Sequence, residues 1–306
     1  MNMRSVKRNG WCRGLAGLLA IVVSSSVHAG MVYTALDDGA WALFYRADMT
    51  RDAVRIGDAL PAGDRGAARL SPDGTRVAFE ITGAGVFVCA VSPGGACAHL
   101  AALSASAVRP SWLPGGRELV FARFDTSATG EDSTIAVTRR DMQAVEPLIT
   151  MTGVQDDPQV SADGRWLLFT SGVTIGLQRA GVQVVQQLWI TDLRTGVTRL
   201  ALPGSARDMH ARWAPDGERF VFASDRSGGF EIWLADRNGG EVRQLTSGPG
   251  SKTWPTWSPD AAEVVFTRAL DGQLSLWRVG VEDGAMQPLA MPGAGEKRQL
   301  RDADWR

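Results

Sequence analysis

The sequence has little histidine and little cysteine, with three of each among its 306 residues. It contains no Gly-x-Ser-x-Gly segment and no His-Glu-x-x-His segment, so the usual signatures of α/β-hydrolases and zinc peptidases are missing. Long apolar runs are also missing. The apolar stretch at residues 15–23 has nine residues, well short of the roughly 20 that a membrane-spanning helix needs.

The first 29 residues have the pattern of a secretory signal peptide. Four basic residues come first, the apolar stretch follows, and Val27-His28-Ala29 is a small-residue cleavage site before Gly30. A membrane anchor is the alternative interpretation. We therefore expect an exported protein of the periplasm, with full secretion as a second possibility, and we do not expect an integral membrane protein.

The charge balance argues against nucleic-acid binding. Cleavage after Ala29 removes four of the 32 basic residues and none of the 33 acidic ones, which leaves a net charge of −5. Binding to nucleic acid depends on a surplus of basic residues that neutralise phosphates. We expect no nucleic-acid partner.

The two cysteines of the mature chain flank a predicted hairpin turn. Cys89 and Cys97 lie on either side of Ser92-Pro93-Gly94-Gly95, whose residue types favour a tight turn. A symmetric hairpin places the two sulfur atoms opposite each other, and an oxidising compartment favours a disulfide. Two free buried thiols are the alternative.

A repeat dominates the mature chain. Five segments align without gaps, each with an apolar anchor nine residues before a phenylalanine, at residues 70–79, 112–121, 160–169, 213–222 and 257–266. Between anchor and phenylalanine lies a turn such as Ser71-Pro72-Asp73-Gly74, in which proline fixes φ and glycine accepts a positive φ. Ala261 replaces the glycine in the fifth copy, and we expect slight strain there.

The spacing of the repeats predicts the blades of a propeller. Four short antiparallel strands per roughly 45 residues is typical of that architecture. Asp302-Ala303-Asp304-Trp305 reads as a sixth first strand, and residues 31–34, 44–48 and 54–56 read as the three strands that complete it. We predict an all-β, six-bladed β-propeller over residues 30–306, whose sixth blade is shared between 30–57 and 300–306. We expect a monomer.

These repeated segments resemble the repeat of the TolB-type, WD-like propeller family. Trp213-Ala214-Pro215-Asp216-Gly217 with Ser224-Asp225-Arg226 is the nearest copy of the family pattern, and the resemblance covers residues 31–306. TolB itself carries an additional N-terminal α/β domain that recruits envelope proteins, and residues 1–306 leave no room for it. The resemblance implies a protein or peptide partner in the cell envelope.

Two sets of residues are predicted to encircle one mouth of the central channel. The entry ring, three residues before each anchor, is Ala67, Arg109, Asp157, His210, Trp254 and Asp302. The second ring, two residues further along and on the same side by strand alternation, is Arg69, Ser111, Gln159, Arg212, Thr256 and Asp304. From these we select as candidates for ligand or partner binding Arg109, Asp157, His210, Arg212, Trp254, Asp302 and Asp304.

Other interpretations of these residues remain open. A polar lining is what any solvent-filled channel needs, so the rings can be structural. We expect no resident cofactor, although Asp157, Asp302 and Asp304 could supply oxygen ligands to a cation such as calcium. The recurring tryptophans and phenylalanines are predicted to pack between blades. The long connection at residues 171–186 either carries function or simply extends a hairpin.

Two classes of function are consistent with these observations. The first is an exported scaffold that presents its channel mouth to a protein or peptide. The second is a propeller enzyme, such as a lyase or lactonase-like hydrolase. In that case His210 would act as the base, with Asp157 or Asp302 as the acid or metal ligand.

Overall fold

The computed structural model describes residues 30–103, 106–124, 132–177, 181–291 and 298–306. The predicted signal peptide lies outside these residues. Regular structure in the described ranges consists of 24 β-strands, arranged in six four-stranded antiparallel sheets. None of these residues forms a helix long and apolar enough to cross a membrane.

Each sheet is one blade of a propeller, with its first strand innermost. Blade 1 contains β4 (Arg65–Leu70), β5 (Arg76–Ile81), β6 (Gly85–Ala90) and β7 (Cys97–His99). Blade 2 contains β8 (Ala107–Trp112), β9 (Leu119–Phe124), β10 (Ser133–Arg139) and β11 (Ala144–Ile149). Blade 3 contains β12 (Val154–Val160), β13 (Trp166–Leu177), β14 (Gly181–Asp192) and β15 (Thr198–Leu200).

The other three blades follow the same order. Blade 4 contains β16 (Asp208–Trp213), β17 (Arg219–Ser224), β18 (Glu231–Asp236) and β19 (Arg243–Gln244). Blade 5 contains β20 (Ser251–Trp257), β21 (Glu263–Leu270), β22 (Gln273–Gly280) and β23 (Met286–Pro288). Blade 6 contains β24 (Leu300–Trp305), β1 (Met31–Asp37), β2 (Ala40–Arg46) and β3 (Val54–Ile56).

The predicted closure of the ring is confirmed. β24 pairs antiparallel with β1, with Met31 opposite Trp305 and Ala35 opposite Leu300. The two ends of the described chain therefore form one sheet. Shared blades of this kind leave no unpaired inner strand edge, which would otherwise be a site for aggregation.

Apolar side chains hold neighbouring blades together. The recurring phenylalanine of the second strands is fully buried in five blades, at Phe79, Phe121, Phe169, Phe222 and Phe266. One cluster joins Val32, Leu43 and Ile56 of blade 6 to Leu70 and Phe79 of blade 1. The hydrophobic core is thus a series of layers between sheets, which is why the repeat spacing of apolar residues predicts it.

The turns between first and second strands have the predicted geometry. Their fourth residue has a positive φ in each of the five copies, namely Gly74, Gly116, Gly164, Gly217 and Ala261. Ala261 adopts a φ of 58°, a left-handed conformation that costs a residue with a Cβ atom about 1–2 kcal/mol. The amide of Ala261 still donates to the carbonyl of Ser258, so the turn forms despite this cost.

Substitution of Ala261 by glycine is expected to stabilise the protein. Glycine removes the left-handed penalty but adds entropy to the unfolded chain, so the expected gain in the free energy of unfolding is about 0.5–1 kcal/mol. Chemical denaturation of Ala261→Gly measures it. Gly217→Ala, at φ 69° in the equivalent turn, is the matched control and should destabilise by a similar amount. Destabilisation by Ala261→Gly would show that the backbone of Ala261 is not strained in this turn.

Among the described residues, the longest paired hairpin is that of blade 3. β13 and β14 have 12 residues each and stay paired from Trp166 opposite Asp192 to Leu177 opposite Gly181. Of the two interpretations of the connection at residues 171–186, the structure therefore shows an extended hairpin.

In blade 1, Cys89 and Cys97 lie directly opposite each other on β6 and β7 and form a disulfide.

Candidate functional site

Every innermost strand contains a β-bulge at the entry ring. The pairing with the second strand shifts register there, for example between Asp156 and Gln159 and between Met209 and Arg212. All six entry-ring residues have left-handed φ angles of 50–55°: Ala67, Arg109, Asp157, His210, Trp254 and Asp302. A bulge sets two residues against one and redirects a side chain. It brings the entry-ring side chains into the channel.

Proline marks three of these bulges. Pro110, Pro158 and Pro255 each follow an entry-ring residue directly. A bulge leaves a backbone amide outside the strand pairing, so proline is tolerated there although it is excluded from a regular central strand. Proline inside a predicted inner strand was therefore the sequence signal for the bulge. Strand alternation alone does not predict a bulge.

A buried ion-pair network crosses the channel around Asp157. The carboxylate of Asp157 accepts two hydrogen bonds from the Arg212 guanidinium, at 2.8 and 2.9 Å. Arg69 of blade 1 lies 3.9 Å from the same carboxylate. Burial raises the pKa of Asp157 to about 7, although the guanidinium groups of Arg69 and Arg109 act to lower it. Three blades are joined at this one side chain.

The sixth blade is tied to the first by two buried aspartates. Asp302 accepts hydrogen bonds from the backbone amide of Ala67 and from Arg69 Nη1. Asp304 accepts one from the amide of Leu70 at 2.8 Å. The polar residues that suggested a binding site at the channel mouth therefore also help to join the first and last blades of the propeller.

A stack of three side chains fills the rest of the entry ring. The centre of the His210 imidazole lies 3.5 Å from the centre of the Trp254 ring. The Arg109 guanidinium carbon lies 4.4 Å from the same Trp254 ring centre. Burial lowers the pKa of His210 well below its usual value, and the nearby charges of Arg109 and Arg69 act in the same direction. The imidazole is therefore neutral, and its Nδ1 is buried without a hydrogen-bond partner among the residues that the structure describes.

Sequence reasoning did not identify Glu80 as part of this region. Its carboxylate accepts a 2.9 Å hydrogen bond from the backbone amide of Arg109, and burial raises its pKa against the charge of Arg109. Glu80 lies on a second strand, where the repeat gives no signal. Within the described ranges, no group of three His, Cys, Asp or Glu side chains is placed to hold a metal ion.

The predicted candidates thus converge, but they contact one another across the channel. Arg109 of blade 2 meets Trp254 of blade 5 on the far side of the axis. Asp157 meets Arg212 and Arg69. These contacts place side chains of the described residues across the channel at the level of the entry ring.

An open cavity of about 260 Å³ lies at the opposite end of the channel, where the inner strands reach their turns. We call it the turn-side cavity. Its walls include four anchor tryptophans, Trp112, Trp213, Trp257 and Trp305. Its rim includes one proline from each of four turns, Pro72, Pro114, Pro215 and Pro259. Its floor is formed by four second-ring residues, Gln159, Arg212, Thr256 and Asp304.

The anchor tryptophans both pack between blades and line this cavity. Trp112 and Trp257 donate their indole N–H groups to the carbonyls of Arg69 and Arg212 in the preceding blade. Their rings are almost entirely buried, with exposures of 4% each. The indole N–H of Trp213, in contrast, is buried and has no hydrogen-bond partner within the described ranges. The signal for the cavity in the sequence was a tryptophan followed two residues later by proline.

Comparison with known proteins confirms the resemblance to TolB-type propellers. Residues 182–303 match the family model described as the TolB beta propeller domain, PD40. TolB from Acinetobacter baumannii aligns with a TM-score of 0.68 at 18% identity, over 90% of this chain and 66% of that chain. The structure described as putative TolB from Agrobacterium tumefaciens aligns with a TM-score of 0.65 at 15% identity, over 91% of this chain and 98% of that one.

An enzyme shares the fold as well. Oligogalacturonate lyase in complex with manganese aligns with a TM-score of 0.58 at 16% identity, over 87% of this chain and 75% of that chain. No curated protein sequence matches this chain. Identities this low show a common fold and leave function to be argued from the site.

Proposed function

We propose that this TolB-like propeller is an exported binding scaffold of the cell envelope, and that its turn-side cavity receives a segment of a partner polypeptide. The observation that carries the proposal is the combination of open space with tryptophan walls, a proline rim and a polar floor. Concave, largely apolar sites with a few placed polar groups are typical of ligand recognition.

The chemistry of the cavity favours a polypeptide. Tryptophan and proline present rigid surfaces that lose little conformational entropy on binding. A volume of about 260 Å³ suits one or two side chains of an inserted loop or chain end. The predicted signal peptide and the family resemblance support a partner in the envelope.

The enzyme alternative receives less support from the geometry. His210 was its proposed base, yet among the described residues no hydrogen bond joins this imidazole to a carboxylate. The carboxylates of Asp157 and Asp302 are engaged by arginines. A general base needs access to a substrate proton and a group that orients it.

A variant that fills the turn-side cavity tests the proposal. Ala162 is exposed and lines the cavity, so Ala162→Trp should obstruct it and keep the fold. We expect at least about a tenfold loss in partner capture from envelope extracts, which corresponds to roughly 1.4 kcal/mol. The tagged full-length protein, crosslinked in cells and analysed by mass spectrometry, gives the readout.

The same substitution at a remote site is the control. Ala98 is exposed on the outer strand β7, and Ala98→Trp should capture the same partners as the unmodified protein. Equal capture by both variants, at equal melting temperature, would contradict a binding role for the cavity.

A further inference from the structure

Arg212 connects the ion-pair network to the turn-side cavity. Its side chain is 5% exposed, pairs with Asp157 and also belongs to the floor of the cavity. Arg69 occupies the equivalent position in blade 1 and pairs with Asp302, but it does not line the cavity. Two arginines line the cavity, the exposed Arg306 and the buried Arg212. Among the second-ring residues of the floor, Arg212 is the one with a permanent positive charge.

Only part of the Arg212 guanidinium is occupied. Nη1 donates to Asp157 and to the carbonyl of Ala211, and Nη2 donates to the other oxygen of Asp157. A guanidinium has five N–H groups. The Nε–H and the second Nη2–H therefore have no partner among the residues that the structure describes. These two donors lie side by side, in the spacing that matches the two oxygens of a carboxylate.

We propose that the turn-side cavity binds a carboxylate of the partner polypeptide on the free edge of Arg212, while apolar atoms beside that carboxylate contact the tryptophan walls. This inference rests on the proposed binding function and specifies the chemistry it recognises. The free guanidinium edge of Arg212, beside the tryptophan walls, fits a single carboxylate, which an adjacent apolar group can accompany. The carboxylate can belong to a chain terminus or to an acidic side chain.

Binding at Arg212 is coupled to a proton on Asp157. The charged groups around Asp157 are Arg69, Arg109, Arg212, Asp156 and Asp302. A second carboxylate on Arg212 adds negative charge beside Asp157 and favours its protonated form. Because the pKa of Asp157 is raised by burial to about 7 in the free protein, proton uptake should accompany binding above neutral pH.

Three short peptides test the inference on the full chain by titration calorimetry. The probes are acetyl-Ala-Ala-Leu with a free carboxylate, the same peptide as its amide, and acetyl-Ala-Glu-Leu amide. We expect the free acid to bind at least about tenfold more tightly than its amide, since a charge-assisted bidentate pair is lost. Binding of the third probe would identify a side-chain carboxylate as sufficient.

The pH dependence has a defined sign. The peptide carboxylate stays ionised above about pH 5, so its affinity follows the proton uptake of Asp157. We expect at least about tenfold weaker binding at about pH 8.5 than at about pH 6. Titrations at about pH 8.5 in two buffers with different heats of ionisation should show net proton uptake on binding. Asp157→Asn should bind with little dependence on pH.

Arginine variants separate this inference from the proposed function. Arg212→Gln should lose at least about tenfold in affinity for the free acid. Arg69→Gln removes the same charge from the same ring away from the cavity, so it should lose stability but keep affinity at about pH 6, where Asp157 is protonated with or without Arg69. Equal binding of acid and amide, unchanged binding by Arg212→Gln, or no binding by any probe would overturn the inference. Partner capture that depends on Ala162 but not on Arg212 would overturn it and leave the proposed function standing.

Discussion

Deletion of residues 300–306 is expected to prevent cooperative folding or to lower the free energy of unfolding by more than about 5 kcal/mol. The deletion removes β24, the innermost strand of blade 6. Leu300 and Ala303 are buried in a cluster with Val265 and Leu276 of blade 5. Each large apolar side chain withdrawn from such a core costs about 1.5–3 kcal/mol.

Polar interactions add to that cost. The amides of Ala67 and Leu70 in blade 1 lose their acceptors Asp302 and Asp304. β1 becomes an unpaired edge beside the channel, and exposed edges of this kind favour aggregation. The deletion therefore affects three neighbouring blades at once.

Removal of Arg306 alone is the control for this prediction. Arg306 is exposed and lies beyond the last residue of β24, so its loss should leave the melting temperature within a few degrees of the parent. Thermal and urea unfolding, followed by circular dichroism, measure both truncations. If the 300–306 deletion unfolded like the parent, the shared sixth blade would be wrong.

Replacement of Asp302 by alanine is expected to lower the free energy of unfolding by about 3 kcal/mol or more. Asp302 is 4% exposed and accepts hydrogen bonds from Arg69 and the amide of Ala67. Removal of one partner of a buried ion pair leaves the other charge desolvated, which typically costs about 3–5 kcal/mol. Asp302→Asn keeps an acceptor for the Ala67 amide and should cost less.

An exposed ion pair provides the comparison. Glu146 lies 3.3 Å from Arg139, and its side chain is 61% exposed. Solvent weakens such pairs, so Glu146→Ala should cost less than about 1 kcal/mol. Urea denaturation of both variants gives the two values. Similar losses for Asp302→Ala and Glu146→Ala would show that the channel network does not contribute as the structure implies.

The architecture could be predicted because one interaction repeats. The apolar anchor and the phenylalanine nine residues later define the layers between blades, and Asp302 to Trp305 completes the pattern at the chain end. The same periodicity cannot place a bulge, because a bulge is an exception to alternation. Pro110, Pro158 and Pro255 carried that signal and were not interpreted in this way.

The candidate site was only partly predictable. The distance to an anchor predicted that Asp157 and Arg212 lie at the same mouth of the channel, and in the structure the two side chains form an ion pair. Which end of the channel stays open depends on side-chain volume across the axis, where Trp254 and Arg109 meet. Such contacts between blades 2 and 5 cannot be predicted from the sequence until the pairing register of the inner strands is known. The tryptophans were correctly assigned to packing between blades, but their second surface, toward the cavity, was missed.

Site-specific photocrosslinking in cells reports which end of the channel touches the partner. A photoreactive residue would replace Ala162 at the turn-side cavity or Ser227, which is exposed in the loop after β17 at the entry end. We expect crosslinks to a polypeptide from position 162 and none from position 227. Crosslinks from position 227 alone would contradict this expectation.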